Sequence, residues 1–152
     1  ICYGGGLGLA LASDLRYCAP NARFRMPAAR LGLGYAHDGV KRMVDVLGAA
    51  RAAEMFYTAQ VFDATQAATM GLVNAVHDDL FGHVRTLAAE MATNAPLTLA
   101  AAKLAFNTVL DGSPPEQVAA VDAAVQACFS SSDYAEGRHA FAEKRPPRFT
   151  GR

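Results

Sequence analysis

The sequence has no tryptophan, no excess of charge of either sign and few cysteines. Its 14 basic and 14 acidic residues give a formal net charge of zero, which argues against nucleic acid or an anionic membrane surface as a partner. Cys2, Cys18 and Cys128 are odd in number, far apart and not at metal-ligand spacing. They favour reduced thiols in a cytoplasmic protein without a metal centre. Although 52% of the residues are hydrophobic, no run approaches the roughly 18 apolar residues of a membrane span.

A glycine turn stands close to the start of the chain, and an apolar helical stretch follows it directly. Gly4, Gly5 and Gly6 lead into Leu7 and Leu11, which recur at helical spacing. The first N–H groups of such a helix lack intrahelical partners and favour negative charge. This is the physical basis of an oxyanion hole, in which fixed donors stabilise an oxygen that becomes anionic. Close packing alone also explains glycines at this point, so both interpretations stand.

The same glycines do not predict a dinucleotide-binding fold. No strand of useful length precedes them, and no acidic residue ends a second strand about twenty residues later, where such enzymes have one. Alternating and periodic residues instead predict short strands, followed by a helical C-terminal part. The predicted strands are 15–19, 23–26 and 73–77; the predicted helices are 40–46 and 49–57, parted at Gly48, then one capped by Asp63 or Thr65, and finally 80–93, 96–110, 115–129 and 134–143, the last capped by Asp133 or Ser132.

Several separated motifs resemble, in order and spacing, those of the enoyl-CoA hydratase/isomerase family, also called crotonases. They are Gly4-Gly5-Gly6, Ser13-Asp14-Leu15-Arg16, Ala22-Arg23-Phe24, Pro27, Leu31-Gly32-Leu33, Gly39, Gly71-Leu72-Val73-Asn74 and Phe141 to Phe149. The resemblance implies an α/β fold in which residues 1–78 form the C-terminal part of a crotonase-type β-β-α spiral, truncated at the N-terminus. Residues 79–152 would then form a helical region that packs subunits into trimers or hexamers. It further implies an acyl-CoA substrate, with coenzyme A as part of that substrate and no separate cofactor.

Two positions depart from the pattern of the hydratases in this family. Those enzymes hold the reacting water with two glutamates, and the matching positions here are Gly8 and Ala28. Adding water across a double bond needs an acid and a base beside it, and neither residue supplies one. Decarboxylation or isomerisation is therefore favoured over hydration, and thioester hydrolysis also stays open. A non-catalytic assembly module is the alternative from a different functional class.

The resemblance carries specific roles to the glycine turn and to the loop that follows it. Gly5 matches the glycine whose N–H binds the thioester oxygen, with Gly4 and Gly6 as neighbouring substrate-binding residues. The loop through Tyr35 is similar to the active-site loop of methylmalonyl-CoA decarboxylases, in which a tyrosine orients a carboxylate or relays a proton.

Further along, Asp38 would serve as a base if it were partly desolvated. The alternatives are that Tyr35 only packs over the cleft and that Asp38 only caps the next helix. Near the C-terminus, Phe141 and Lys144 lie one helical turn apart. They match the family pair that contacts the adenine and phosphate of coenzyme A, often across a subunit boundary. A plain subunit contact is the alternative for this pair.

Overall fold

The computed structural model describes residues 1–152, which form two compact units, Ile1–Val84 and Arg85–Arg152. The division lies within a helix, a little after the predicted one at 78/79. The strands are β1 (Cys2–Tyr3), β2 (Tyr17–Cys18), β3 (Arg23–Arg25), β4 (Phe62–Asp63) and β5 (Ala75–Val76). The helices are α1 (Gly5–Leu11), α2 (His37–Thr58), α3 (Ala64–Thr69), α4 (Leu80–Met91), α5 (Pro96–Leu110), α6 (Pro115–Phe129) and α7 (Ser132–Glu143), with a 3₁₀ turn at Ala28–Arg30. No helix combines the length and the apolar character that a bilayer crossing would need.

The strands of the first unit form two small sheets. One has the order β1-β3-β4, with β1 parallel and β4 antiparallel to the central strand, and the other pairs β2 with β5 in parallel. The three predicted strands are present but shorter than expected, whereas β1 and β4 were not predicted. Strands of two residues are too short to show an alternating pattern, so their pairing depends on the neighbouring strand.

Helix α2 contains the break that the sequence predicts. Gly48 has φ 73° and ψ 160°, values outside the helical region, and it divides the helix into two segments. A positive φ is readily adopted by glycine because it has no Cβ. The helix begins at His37, inside the stretch expected to be loop, because Val40 N already donates to Ala36 O at 3.2 Å.

The first unit has a well-packed apolar core. Leu7, Met26, Met43, Met55 and Leu72 are its largest fully buried side chains. They come from α1, α2 and the segments beside the strands, so burial of apolar surface holds these elements together. At the edge of the core, Asp63 caps α3 in a reciprocal arrangement with Gln66, and this confirms the first of the two predicted caps.

The second unit buries much less. Its buried residues are Ala101, Thr108, Asp133 and Ala140. Large apolar side chains stay exposed on its helices, among them Phe106 at 67%. The cap predicted for α7 is wrong: Ser131 accepts the hydrogen bond from Tyr134 N at 3.0 Å, because Asp133 is engaged elsewhere.

Candidate active site

The glycine turn places free donors at the start of α1. Gly4 has φ 51° and donates its N–H to Arg25 O at 3.0 Å, and the first turn of the helix closes with Gly8 N donating to Gly4 O at 3.0 Å. The N–H groups of Gly5 and Gly6 therefore have no acceptor within the helix. Both residues are exposed, and a Cβ built on either would meet no atom within 4 Å. The backbone of Gly5 can thus be approached by a substrate oxygen.

The two hydratase positions lie in different surroundings. Ala28 opens the 3₁₀ turn and is buried, with 2% of its surface exposed. Gly8 lies on α1, and a Cβ there would be 3.9 Å from the hydroxyl oxygen of Tyr35. A phenol hydroxyl therefore lies next to the position from which a hydratase would extend its first glutamate.

Three neighbours hold Tyr35 in place, and the sequence alone did not reveal them. Its ring meets Phe56 edge-on, with ring centroids 5.5 Å apart. A Cβ at Gly39 would overlap the ring carbon Cε1, so the ring packs directly against the backbone of α2. Gly8 leaves open the space beside the hydroxyl. The sequence shows a glycine in a helix and an aromatic residue in a loop. That the two are in contact is visible only in the tertiary structure.

Asp38 lies apart from this cluster. Its side chain is fully exposed, and Oδ1 contacts Nδ1 of the exposed His37 at 3.3 Å. The alternative of a helix cap is wrong, because Ala36 occupies the cap position and Asp38 lies in the first turn, where its charge favours the helix dipole. Desolvation, the condition for action as a base, is not met within this chain, and the role stays a prediction.

Two arginines of the first unit hold segments of the fold together. Arg16 Nε donates to Leu72 O and Arg25 Nε to Ala59 O, each at 2.7 Å. Burial raises the pKa of the Cys2 and Cys18 thiols. Both are free of disulfides, and a raised pKa keeps them protonated and poorly nucleophilic.

Histidines do not assemble a metal centre in this structure. No group of three or more His, Cys, Asp or Glu side chains is arranged to hold a metal ion. The rings of His77 and His83 are stacked, with centroids 3.5 Å apart, and Tyr17 meets His83 edge-on. This aromatic group connects β5 and α4 to β2 by packing.

In the second unit, the two residues matched to coenzyme A binding lie at the end of α7. Phe141 is 87% exposed and, with Phe129 and Phe149, lines an apolar cleft of about 610 Å³. Lys144 ends the helix in the left-handed conformation, at φ 56°. Its ammonium is exposed and makes no ion pair. An aromatic ring and an unpaired cation one turn apart suit a nucleotide base and a phosphate.

The residue after Lys144 is held between two carboxylates. Arg145 donates from Nη1 and Nη2 to Glu136, at 2.6 and 3.0 Å, and from Nε to Glu143 at 2.6 Å. Glu136 also accepts from Arg148 N at 2.8 Å. The Arg145 hydrogen bonds, helped by that backbone N–H, lower the pKa of Glu136 to about 2. The same contacts raise the pKa of Arg145, so the pair of Glu136 and Arg145 is ionised near neutral pH.

A third carboxylate of α7, that of Asp133, binds the C-terminal segment. Asp133 is buried, with 3% of its surface exposed, and accepts from Thr150 N at 2.7 Å and Gly151 N at 2.8 Å. Its own N–H donates to Arg152 O at 3.1 Å. The terminal residues are therefore bound back onto the start of α7, and the segment after Lys144 is anchored at both ends.

Comparison with known proteins points to one family. The sequence profile of the enoyl-CoA hydratase/isomerase family matches residues 1–152. The carnitinyl-CoA dehydratases of Escherichia coli strain K12 and of Salmonella agona are each 36% identical over 156 aligned residues, covering 99% of this chain and 60% of the relative. The chain thus spans about 60% of the length of these curated relatives.

Solved structures show the same likeness. An enoyl-CoA hydratase from Bacillus anthracis has a TM-score of 0.90 at 29% identity, covering 99% of this chain and 59% of that one. An enoyl-CoA hydratase from Mycobacterium marinum gives 0.89 at 33% identity, with coverages of 99% and 63%. The predicted α/β fold of crotonase type is confirmed, with a chain that covers part of each neighbour.

Proposed function

Because the chain belongs to the enoyl-CoA hydratase/isomerase family, we propose that the protein turns over acyl-CoA thioesters by stabilising a thioester enolate. The N–H of Gly5, which has no intrahelical acceptor, would donate to the thioester oxygen as negative charge develops on it. Gly4 and Gly6 shape the turn beside it. The role needs no side chain, so the loss of the two hydratase carboxylates leaves it intact.

The reaction that fits this site best is one in which the substrate supplies its own leaving group. In a malonyl-type thioester, the bond from the α-carbon to the carboxylate breaks and carbon dioxide leaves. The electron pair moves into the thioester carbonyl, forming the enolate that the Gly5 N–H stabilises. The α-carbon then takes up a proton to give the shortened acyl thioester. No base is required to begin this sequence.

The observation that carries this proposal is the position of the Tyr35 hydroxyl beside Gly8. Where a hydratase has a carboxylate, this chain has a neutral phenol, which donates a hydrogen bond without being ionised. Such a donor would orient the departing carboxylate or relay the proton to the α-carbon. A carboxylate at the same point would repel an anionic substrate group.

Dehydration of a hydroxyacyl-CoA is the second candidate, because the relatives at 36% identity are named carnitinyl-CoA dehydratases. Removal of water needs a base for the proton and an acid for the leaving hydroxyl. Tyr35 would act as the acid, but Gly8 and Ala28 supply no base. Double-bond isomerisation shares the requirement for a proton carrier. Decarboxylation therefore stays the first choice.

The test is a panel of thioesters presented to the protein that contains this chain. Malonyl-CoA and methylmalonyl-CoA should release carbon dioxide, whereas hydration of crotonyl-CoA should be slower by about 10²–10⁴-fold for each missing acid–base partner. Rapid hydration of crotonyl-CoA would contradict the proposal. Turnover of a hydroxyacyl-CoA alone would establish the second candidate, and binding without any turnover would indicate the non-catalytic module.

A further inference from the structure

The ion pairs around Arg145 surround a lysine that takes no part in them. Lys144 directly precedes Arg145 and directly follows Glu143, yet its ammonium has no ion-pair partner. The carboxylates of Glu136 and Glu143 are bound to the Arg145 guanidinium. Both acids of this network are thus paired to the arginine, and the lysine is left out of it.

The backbone at this point is held in an unusual conformation. Lys144 has a positive φ of 56°, a region that side chains with a Cβ seldom occupy, so the surroundings must stabilise it. Arg145 N donates to Ala140 O at 3.0 Å, which closes the end of α7. On the far side, Glu136 binds both the Arg145 side chain and the N–H of Arg148. The turn at Lys144 is therefore fixed by contacts that begin at the next residue.

We propose that Arg145, held between Glu136 and Glu143, is a positioning residue that orients Lys144 and keeps its ammonium unpaired for a phosphate of the nucleotide end of coenzyme A. This inference rests on the proposed function, because it takes an acyl-CoA as the substrate. Arg145 contacts no substrate in this scheme. Its guanidinium neutralises two carboxylates that would otherwise compete with the phosphate for the lysine.

The test compares thioesters with and without the nucleotide. A CoA thioester carries the phosphates, whereas the matching pantetheine thioester has the same reacting group and lacks them. In the wild-type protein, kcat/KM should favour the CoA thioester. The substitution Arg145→Gln leaves the carboxylates of Glu136 and Glu143 free to pair with Lys144, so it should reduce that preference about tenfold through a higher KM, with kcat and turnover of the pantetheine thioester unchanged. A merely structural defect would lower the turnover of both thioesters equally.

A double-mutant cycle identifies the route of the effect. If Arg145 acts through Lys144, then Arg145→Gln should add nothing in a Lys144→Gln background. Additive losses of preference would overturn the proposal. The control is Arg51→Gln, which removes another exposed arginine bound to a carboxylate, that of Glu54, at 2.9 Å. This control should leave the preference as in the wild type.

A replacement variant and a calorimetric binding measurement complete the test. Should Arg145→Gln fold poorly by circular dichroism, Arg145→Lys replaces it, because a lysine keeps the charge and has no Nε–H to hold Glu143. Calorimetric binding of free coenzyme A and of pantetheine separates this inference from the proposed function. Selective binding of coenzyme A without turnover of any thioester refutes the proposed function alone. Turnover without preference for the CoA thioester in the wild type refutes the role of Lys144 and Arg145 alone.

Discussion

The two units of the chain are stabilised in different ways. Ile1–Val84 encloses a continuous apolar core with five large side chains fully buried, Leu7, Met26, Met43, Met55 and Leu72. Arg85–Arg152 buries none of its large apolar side chains, and its exposed ones include Phe106, Val109 and Phe141. Its tertiary polar contacts are instead concentrated between α7 and the C-terminal segment. The first unit thus has a core of large apolar side chains of its own, and the second does not.

The same contrast applies to the two candidate sites. Tyr35 is fixed by shape, through contact with Phe56 and through the space left at Gly39. The segment that follows Lys144 is held by charge, through the ion pair of Arg145 with Glu136. Packing contacts are insensitive to salt and pH. Exposed ion pairs are weakened by salt, which screens their charges, and by acid, which protonates their carboxylates. Changes of salt or pH should therefore affect the surroundings of Lys144 more than those of Tyr35.

Removing a core side chain should affect the first unit most. Met55 is fully buried, so Met55→Ala should lower the free energy of unfolding by about 2–5 kcal/mol. Phe106→Ala removes a larger side chain that is 67% exposed, and in dilute protein it should change stability by no more than about 0.5 kcal/mol. Urea denaturation of both variants checks this. Equal losses would show that the second unit has a core of comparable strength.

Self-association should depend on the second unit. The exposed apolar side chains of its helices favour assembly, and we expect trimers or hexamers by sedimentation at micromolar concentration. Burying one such side chain is worth about 1.5–3 kcal/mol, so Phe106→Asp should weaken association by at least about tenfold. Tyr57→Asp, at a site 79% exposed in the first unit, is the control. A monomeric wild type would contradict the prediction.

Catalysis should depend on how Tyr35 is packed. Tyr35→Phe should lower kcat about tenfold, through loss of one hydrogen bond to a charged group, with little change in affinity for coenzyme A. Gly39→Ala should have a similar effect because its Cβ would overlap the ring.

Alanine is the better helix former, so a kcat lost in Gly39→Ala cannot be ascribed to a weakened α2. Gly34→Ala, in the loop that precedes α2, is the control, since a Cβ there would meet no atom within 4 Å. Turnover at the wild-type rate in both Tyr35→Phe and Gly39→Ala would leave the loop a purely structural role.

The smallest effect should be a loss of folding stability in acid that comes from the ion pair of Glu136 and Arg145. The Arg145 hydrogen bonds lower the pKa of Glu136 from 4.5 to about 2, so the ionised form stabilises the folded chain above pH 4.5. That contribution should fade as the pH falls from 4.5 to about 2, where the carboxylate becomes protonated. Thermal unfolding across this range, compared with Glu136→Gln, measures it. A variant with the same acid dependence as the wild type would exclude Glu136 as the source.

Much of the secondary structure follows from the sequence. The bounds of α5 and α6 agree with the predicted 96–110 and 115–129, because a proline in the first turn marks each start and a polar or glycine-containing stretch marks each end. The break at Gly48 is also predictable, since glycine separates two periodic segments. The two-residue strands β1 and β4 are not, because they exist only through pairing with β3.

The sequence by itself determined the family, the missing carboxylates at Gly8 and Ala28 and the candidate residues of both sites, because motif order and residue type are local information. The tertiary structure alone decided their surroundings. It set the Tyr35 hydroxyl beside Gly8, left Asp38 in solvent and joined Arg145 to Glu136. Steric fit and charge pairing depend on distances between residues remote along the chain, and periodicity along the sequence carries no record of those distances.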